Sequence, residues 1–131
     1  MIEKITIGDQ LIAIIIKKNF KREGLAFFTP NEFSQQFGYM NRPQGYVIDP
    51  HIHNEVERKV TLTQEVLFVK SGKLQINFYD DNKTYLESRI AEEGDFIFLA
   101  SGGHGFKMLE DCELFEVKQG PYCGDMDKSR F

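Results

Sequence analysis

Apolar and polar residues alternate most cleanly over Lys73-Leu74-Gln75-Ile76-Asn77-Phe78. A period of two puts Leu74, Ile76 and Phe78 on one face of a strand and the polar side chains on the other. Asp80-Asp81-Asn82 then offers a turn into a second run, Thr84 to Ile90, and further short runs lie at Asp95 to Ala100, His104 to Leu109 and Glu113 to Val117. At the other end of the chain, Lys4 to Ile7, a Gly8-Asp9 turn and the β-branched run Leu11 to Ile16 predict a hairpin. From Gly45 onward the pattern predicts short strands separated by Gly, Asn and Asp turns, the pattern of an all-β sandwich or barrel. One helix is expected, near residues 30 to 37. Thr29 and Glu32 form a capping box around Pro30, Phe28 and Phe33 hold the staple positions, Phe37 shares a face with Phe33, and Gly38 offers a stop.

The 131 residues fit a single domain, with no internal repeat and no linker-like shift in composition. Hydrophobic residues make up 41% and aromatics 13%, including twelve Phe, which is enough to fill a core. A net charge of -4 gives no general attraction for phosphate backbones, so a nucleic-acid partner is not expected. The one basic cluster, Lys17 to Arg22, reads as a solvated turn, with contact to an anion as the alternative. Cys112 and Cys123 follow no metal or redox spacing and are expected as free thiols. There is no signal-peptide pattern, and the apolar run Leu11 to Ile16 is far short of a membrane span, so a cytoplasmic protein without a membrane partner is expected.

The three histidines of the chain are His51, His53 and His104. If His51-Ile52-His53 lies in a strand, both imidazoles point the same way and Ile52 the other. Glu65 opens the apolar run Val66 to Val69 and can add an oxygen ligand, and His104 follows the flexible Ala100-Ser101-Gly102-Gly103. Three nitrogens and one oxygen suit a divalent transition metal such as Fe, Mn, Ni, Co or Zn, whereas Ca and Mg prefer oxygen cages. Glu57 competes with Glu65, but it sits in the charged run Glu55 to Lys59, and only Glu65 has an apolar strand after it.

These residues resemble the two motifs of the cupin superfamily. Gly45 stands before five residues and His51-Ile52-His53, and Glu65 is followed after six residues by Gly72. The second motif is matched by Gly94-Asp95, the apolar Phe96 to Leu99, Gly102 and His104. The chain departs from the pattern in the long gap between His53 and Glu65, which reads as an insertion over 54–64, and in Ala100 and Met108, which stand where the family has Pro and Asn. The resemblance covers about residues 45 to 118. It implies a double-stranded β-helix, or jelly-roll barrel, with one domain over 1–131, an N-terminal part to residue 44 and a tail from 119. It also implies metal ligation by His51, His53, Glu65 and His104. Thr63 to Phe68 and Glu116 to Tyr122 further resemble small cupins found among bacterial surface-polysaccharide genes.

What the resemblance implies for function is a metal-dependent enzyme acting on a small oxygen-rich molecule, a sugar or sugar-derived acid, by metal-assisted proton transfer of the isomerase or epimerase kind. An Fe(II) dioxygenase and a non-catalytic ligand-binding module are the alternatives. Arg58 and Gln64, with Lys59, are candidates for holding a phosphate or carboxylate, against a plain reading as exposed loop residues. The tail from Gly120 to Phe131 either closes over the barrel mouth or frays, and fraying is the commoner outcome. Related proteins pair through outer sheets, and the apolar N-terminal strands predict a homodimer. Light scattering at micromolar concentration should therefore give twice the chain mass, and a lone species of 15.2 kDa would refute the pairing.

Overall fold

A computed structural model describes all 131 residues and contains ten strands. They are β1 (Ile2–Ile7), β2 (Gln10–Ile16), β3 (Gly24–Phe27), β4 (Gly38–Asn41), β5 (Glu65–Ser71), β6 (Lys73–Tyr79), β7 (Tyr85–Glu92), β8 (Phe96–Leu99), β9 (Gly103–Met108) and β10 (Glu113–Lys118). The all-β expectation holds, and in the N-terminal hairpin and from residue 65 on the predicted strand runs fall within a residue or two of those observed, whereas no strand forms over 45–64. By internal contacts the chain divides into a larger unit, Met1–Phe20 with Leu62–Phe131, and a smaller one, Lys21–Thr61. No helix is long and apolar enough to cross a membrane.

The larger unit holds two antiparallel sheets, ordered β1-β2-β8-β5-β10 and β7-β6-β9. Both sheets are open. β1 and β10 end the first and β7 and β9 the second, so no closed barrel forms. The alternation seen in the sequence decides which side chains face inward. Leu74, Ile76 and Phe78 of β6, with Leu67 and Val69 of β5, Ile5 of β1 and Ile97 of β8, form one buried cluster. Each is 4% exposed or less, and burying a side chain of this kind contributes about 2 kcal/mol.

One end of this sandwich is tied by a buried carboxylate. Asp95, only 1% exposed, accepts hydrogen bonds from the backbone amides of Lys18 and Glu92, both at 2.9 Å, and from Lys17 Nζ at 3.2 Å. Lys17 also donates to Ile90 O, and Glu3 beside it pairs with Arg89 at 2.9 Å, so charge links β1 and β2 of one sheet to β7 of the other. Gly94, at φ 89°, leaves no room here for a side chain, because a Cβ would lie 2.8 Å from Lys18 Cβ.

The smaller unit contains the β3–β4 hairpin and no helix, so the helix expected near 30–37 is corrected. Its capping signals are used to close a loop instead. Thr29 Oγ1 accepts from Phe37 N at 3.1 Å and donates to Gln36, and the Gln36 amide donates to Pro30 O and Phe33 O, both at 2.9 Å. Phe28 and Phe37 pack at 5.3 Å across the hairpin mouth, so Phe37 is not left to stack along a helix face with Phe33. The only helical turn of the chain is a 3-10 turn at Gly124–Asp127.

Replacing Asp95 by Ala leaves the partly buried amides of Lys18 and Glu92 without this acceptor and removes the anion facing Lys17. We expect a loss of about 3 kcal/mol in urea denaturation, and a loss under about 1 kcal/mol would show that the node is dispensable.

Candidate functional site

Inward-facing columns in the two sheets of the larger unit end in polar residues. Glu65 shares the face of Leu67 and Val69, and its neighbour in β8 is Leu99. His104 pairs with Phe78 in β9 and so faces inward beside it. Strands from different sheets thus bring His104 Nε2 to 3.4 Å from Glu65 Oε2, with the Glu65 side chain 13% exposed and that of His104 32%.

The pair sets its own electrostatics. The Glu65 carboxyl is held below its ordinary value, first by the hydrogen bond to His104, against loss of water on burial, with the His104 charge, Glu116 and Lys118 adding to the shift. Glu116 lies diagonally across the β5–β10 ladder on the same face. Its carboxyl is pushed up, first by lost solvation and then by Glu65, although much of the residue is open to solvent. Two carboxyl groups hydrogen-bond to each other only if one carries a proton. The two shifts run in opposite directions, so Glu65 is the more readily ionised of the two.

This pair lines a cleft of about 580 Å³ in the larger unit. Its floor is Gly102-Gly103-His104-Gly105, its sides are Tyr79 and the Asp80–Lys83 turn, and its remaining wall is the tail residues 127–131. The tail does not simply fray. Asp127 accepts from the Thr63 hydroxyl and lies 3.6 Å from Lys118, and the Phe131 ring stands edge-on to Tyr79 at 5.0 Å. Gly103 allows that contact, since a Cβ there would come within 3.0 Å of Phe131.

His51 and His53 belong to the smaller unit, and both are exposed. The strand expected around them is corrected: residues 48–60 have no regular structure, and Ile52 is 87% exposed. Pro50 removes a ladder donor immediately before His51. The rings nonetheless stay together, edge to face at 5.3 Å. His51 Nδ1 lies 2.8 Å from Asp49 O. A carbonyl only accepts, so Nδ1 is the donor, and in the neutral ring Nε2 is then the nitrogen with the lone pair that a metal needs.

The expected substrate contacts fall in different units. Arg58 is exposed in the smaller unit. Gln64 is 2% exposed in the larger one, where its amide donates to Ala100 O at 3.3 Å. The sequence reading missed Glu116, Lys83 and Lys128. Glu116 had a usable signal, because it alternates with the apolar Leu114 on one face of β10.

A divalent transition metal fits the donor chemistry of Glu65 and His104. Ligands with bonds of about 2.1 Å that are neighbours on one ion stand roughly 3.4 Å apart, the separation of Oε2 and Nε2 here. Two donors are not a complete ligand set, and no group of three or more His, Cys, Asp and Glu side chains gathers within either unit. Compared with protein-family models, with curated proteins and with solved structures, the chain finds no match.

The lowered Glu65 carboxyl gives a pH dependence of known sign. A carboxylate with a depressed folded value contributes stability that is present above its unfolded value and is lost as pH falls through the folded one. Wild-type protein should therefore lose thermal stability in acid more steeply than Glu65→Gln, with the two curves converging at the acid end. Parallel curves would show that the pair contributes nothing.

Proposed function

We propose that the chain is a cupin-type metalloprotein, and that it acts on a small oxygen-rich substrate by metal-assisted proton transfer of the isomerase or epimerase kind. The observation that carries the proposal is the meeting of Glu65 and His104. Residues 39 positions apart, on facing sheets, converge at the mouth of a cleft with a separation suited to one ion. Further support comes from the chain path. β5, β8 and β10 lie side by side in one sheet while β6, β7 and β9 form the other, so the chain crosses the sandwich repeatedly, as in a jelly roll.

Glu65 and His104 would hold the metal, and His51 and His53, with the His51 tautomer already suited to ligation, are proposed as its further ligands. Bound there, a divalent ion supplies Lewis acidity toward a substrate carbonyl or hydroxyl. The protein's own groups do the rest. Glu65 is the more acidic carboxyl of the site, Glu116 stands beside it on the same face, and the tail walls one side of the cleft. A carboxyl group able to give up and take back a proton is what an isomerase needs in order to protonate a substrate carbon or oxygen.

Elemental analysis of protein purified without chelators or a nickel column should give about one metal per chain. His51→Ala, Glu65→Ala and His104→Ala should each lower that occupancy at least tenfold. Zinc, manganese or nickel would favour the isomerase-like reaction and iron the dioxygenase. A wild-type protein that takes up no metal on reconstitution would sink the proposal.

A further inference from the structure

The segment after β10 is attached to the sheets differently from the rest of the larger unit. Gln119 N to Gln64 O, at 3.1 Å, is the last backbone hydrogen bond between it and them. From Gly120 to Phe131 the attachment is through side chains alone, and no residue of the 3-10 turn is buried. Tyr122 and Met126 are each 91% exposed, so the segment contributes little to the core. A stretch with few buried apolar contacts and no backbone bonds to its surroundings opens at a small cost in free energy.

Its two anchors are nonetheless well placed. Asp127 accepts from Thr63 Oγ1 and lies 3.6 Å from Lys118 Nζ. The Phe131 ring stands edge-on to Tyr79 at 5.0 Å, close against Gly103, with Lys83 Nζ 5.7 Å from its centre. Thr63 precedes Glu65 by two residues, and Gly103 immediately precedes His104. Each anchor therefore sits beside one of the two residues that converge at the cleft, and residues 127–131 form one of its walls. Both anchors are of a weak kind, one a polar contact near the surface and the other a single aromatic pair, so either is readily released.

We propose that residues 120–131 are a lid that pivots after Gln119. With Asp127 and Phe131 seated, that side of the cleft is walled; with both released, Glu65 and His104 are open to it. The lid thereby sets how fast a ligand reaches the pair and leaves it. This goes beyond the function proposed above and holds whether or not the pair binds metal.

The test uses the metal-free full chain and follows the reaction of its three histidines with diethyl pyrocarbonate by mass spectrometry. His51 and His53 are exposed in the smaller unit and serve as the internal standard for His104 in the cleft. Asp127→Ala and Phe131→Ala should each raise the His104 rate, relative to that standard, about threefold, the effect of losing one weak anchor. Independent anchors multiply, so the double variant should gain about tenfold. All three should melt within a few degrees of wild type, because the segment buries so little. In the wild type, nitrogen-15 relaxation dispersion should find one opening process shared by Thr63, Gly103, His104 and residues 127–131, on the microsecond to millisecond scale of lid motions. A His104 rate unmoved in the double variant, or no exchange at these residues, would overturn the proposal. So would a large fall in melting temperature, by assigning the segment to the fold. Neither measurement involves metal, so a chain that takes up none overturns only the metalloprotein reading.

Discussion

The larger unit depends on the burial of one charge. Asp95 sits where β2 leaves its sheet, where β7 turns into β8 and where β5 passes beside it, with Val69 N bonded to Asp95 O at 3.0 Å. A carboxylate taken out of water is unfavourable unless its oxygens are met. Two amides and an ammonium meet them here, and those donors come from separate parts of the chain. Apolar packing between the sheets supplies most of the stabilisation but tolerates sliding. Directional bonds to one buried group do not, so the register of β2, β5 and β8 is fixed at this end. The ion pairs from Lys17 through Glu3 to Arg89 carry the same constraint to the second sheet.

Fixing one end leaves the other free for chemistry. Glu65 and Val69 lie on the same face of β5, with Asp95 bonded beside Val69 and His104 facing Glu65. The two ends differ in how their charges are treated. Asp95 is saturated with donors and enclosed. Glu65 meets the His104 imidazole and the neighbouring Glu116 carboxyl, and it lines a cleft. A saturated carboxylate holds structure, and a reachable one can exchange partners.

Most of the fold was legible because it is written in local alternation. Strand β6 repeats apolar residues every second position, and the β-branched run Leu11 to Ile16 leaves little choice but a strand. The failures came where a local signal had a long-range competitor. Thr29, Pro30 and Glu32 are good helix starters, yet Thr29 Oγ1 is taken by Phe37 N, eight residues on. His51-Ile52-His53 has the alternation of a strand but no core for Ile52 to enter. At the site, Glu65 and His104 were identified from spacing. Their cleft was not, because its wall depends on Phe131 meeting Tyr79 and Gly103, contacts that no period in the sequence encodes.

Glu65 and His104 stand on facing sheets, so the gap between them is a reading of core thickness. Leu67 lies two residues from Glu65 on its strand, and Phe78 is the ladder partner of His104. A methylene added or removed at either position changes how far apart the sheets settle, by fractions of an ångström, and interiors packed this tightly transmit such changes without absorbing them. The sandwich therefore works as a calliper set by its apolar filling. Residues of the apolar filling thereby tune the distance between two polar side chains that they do not bond.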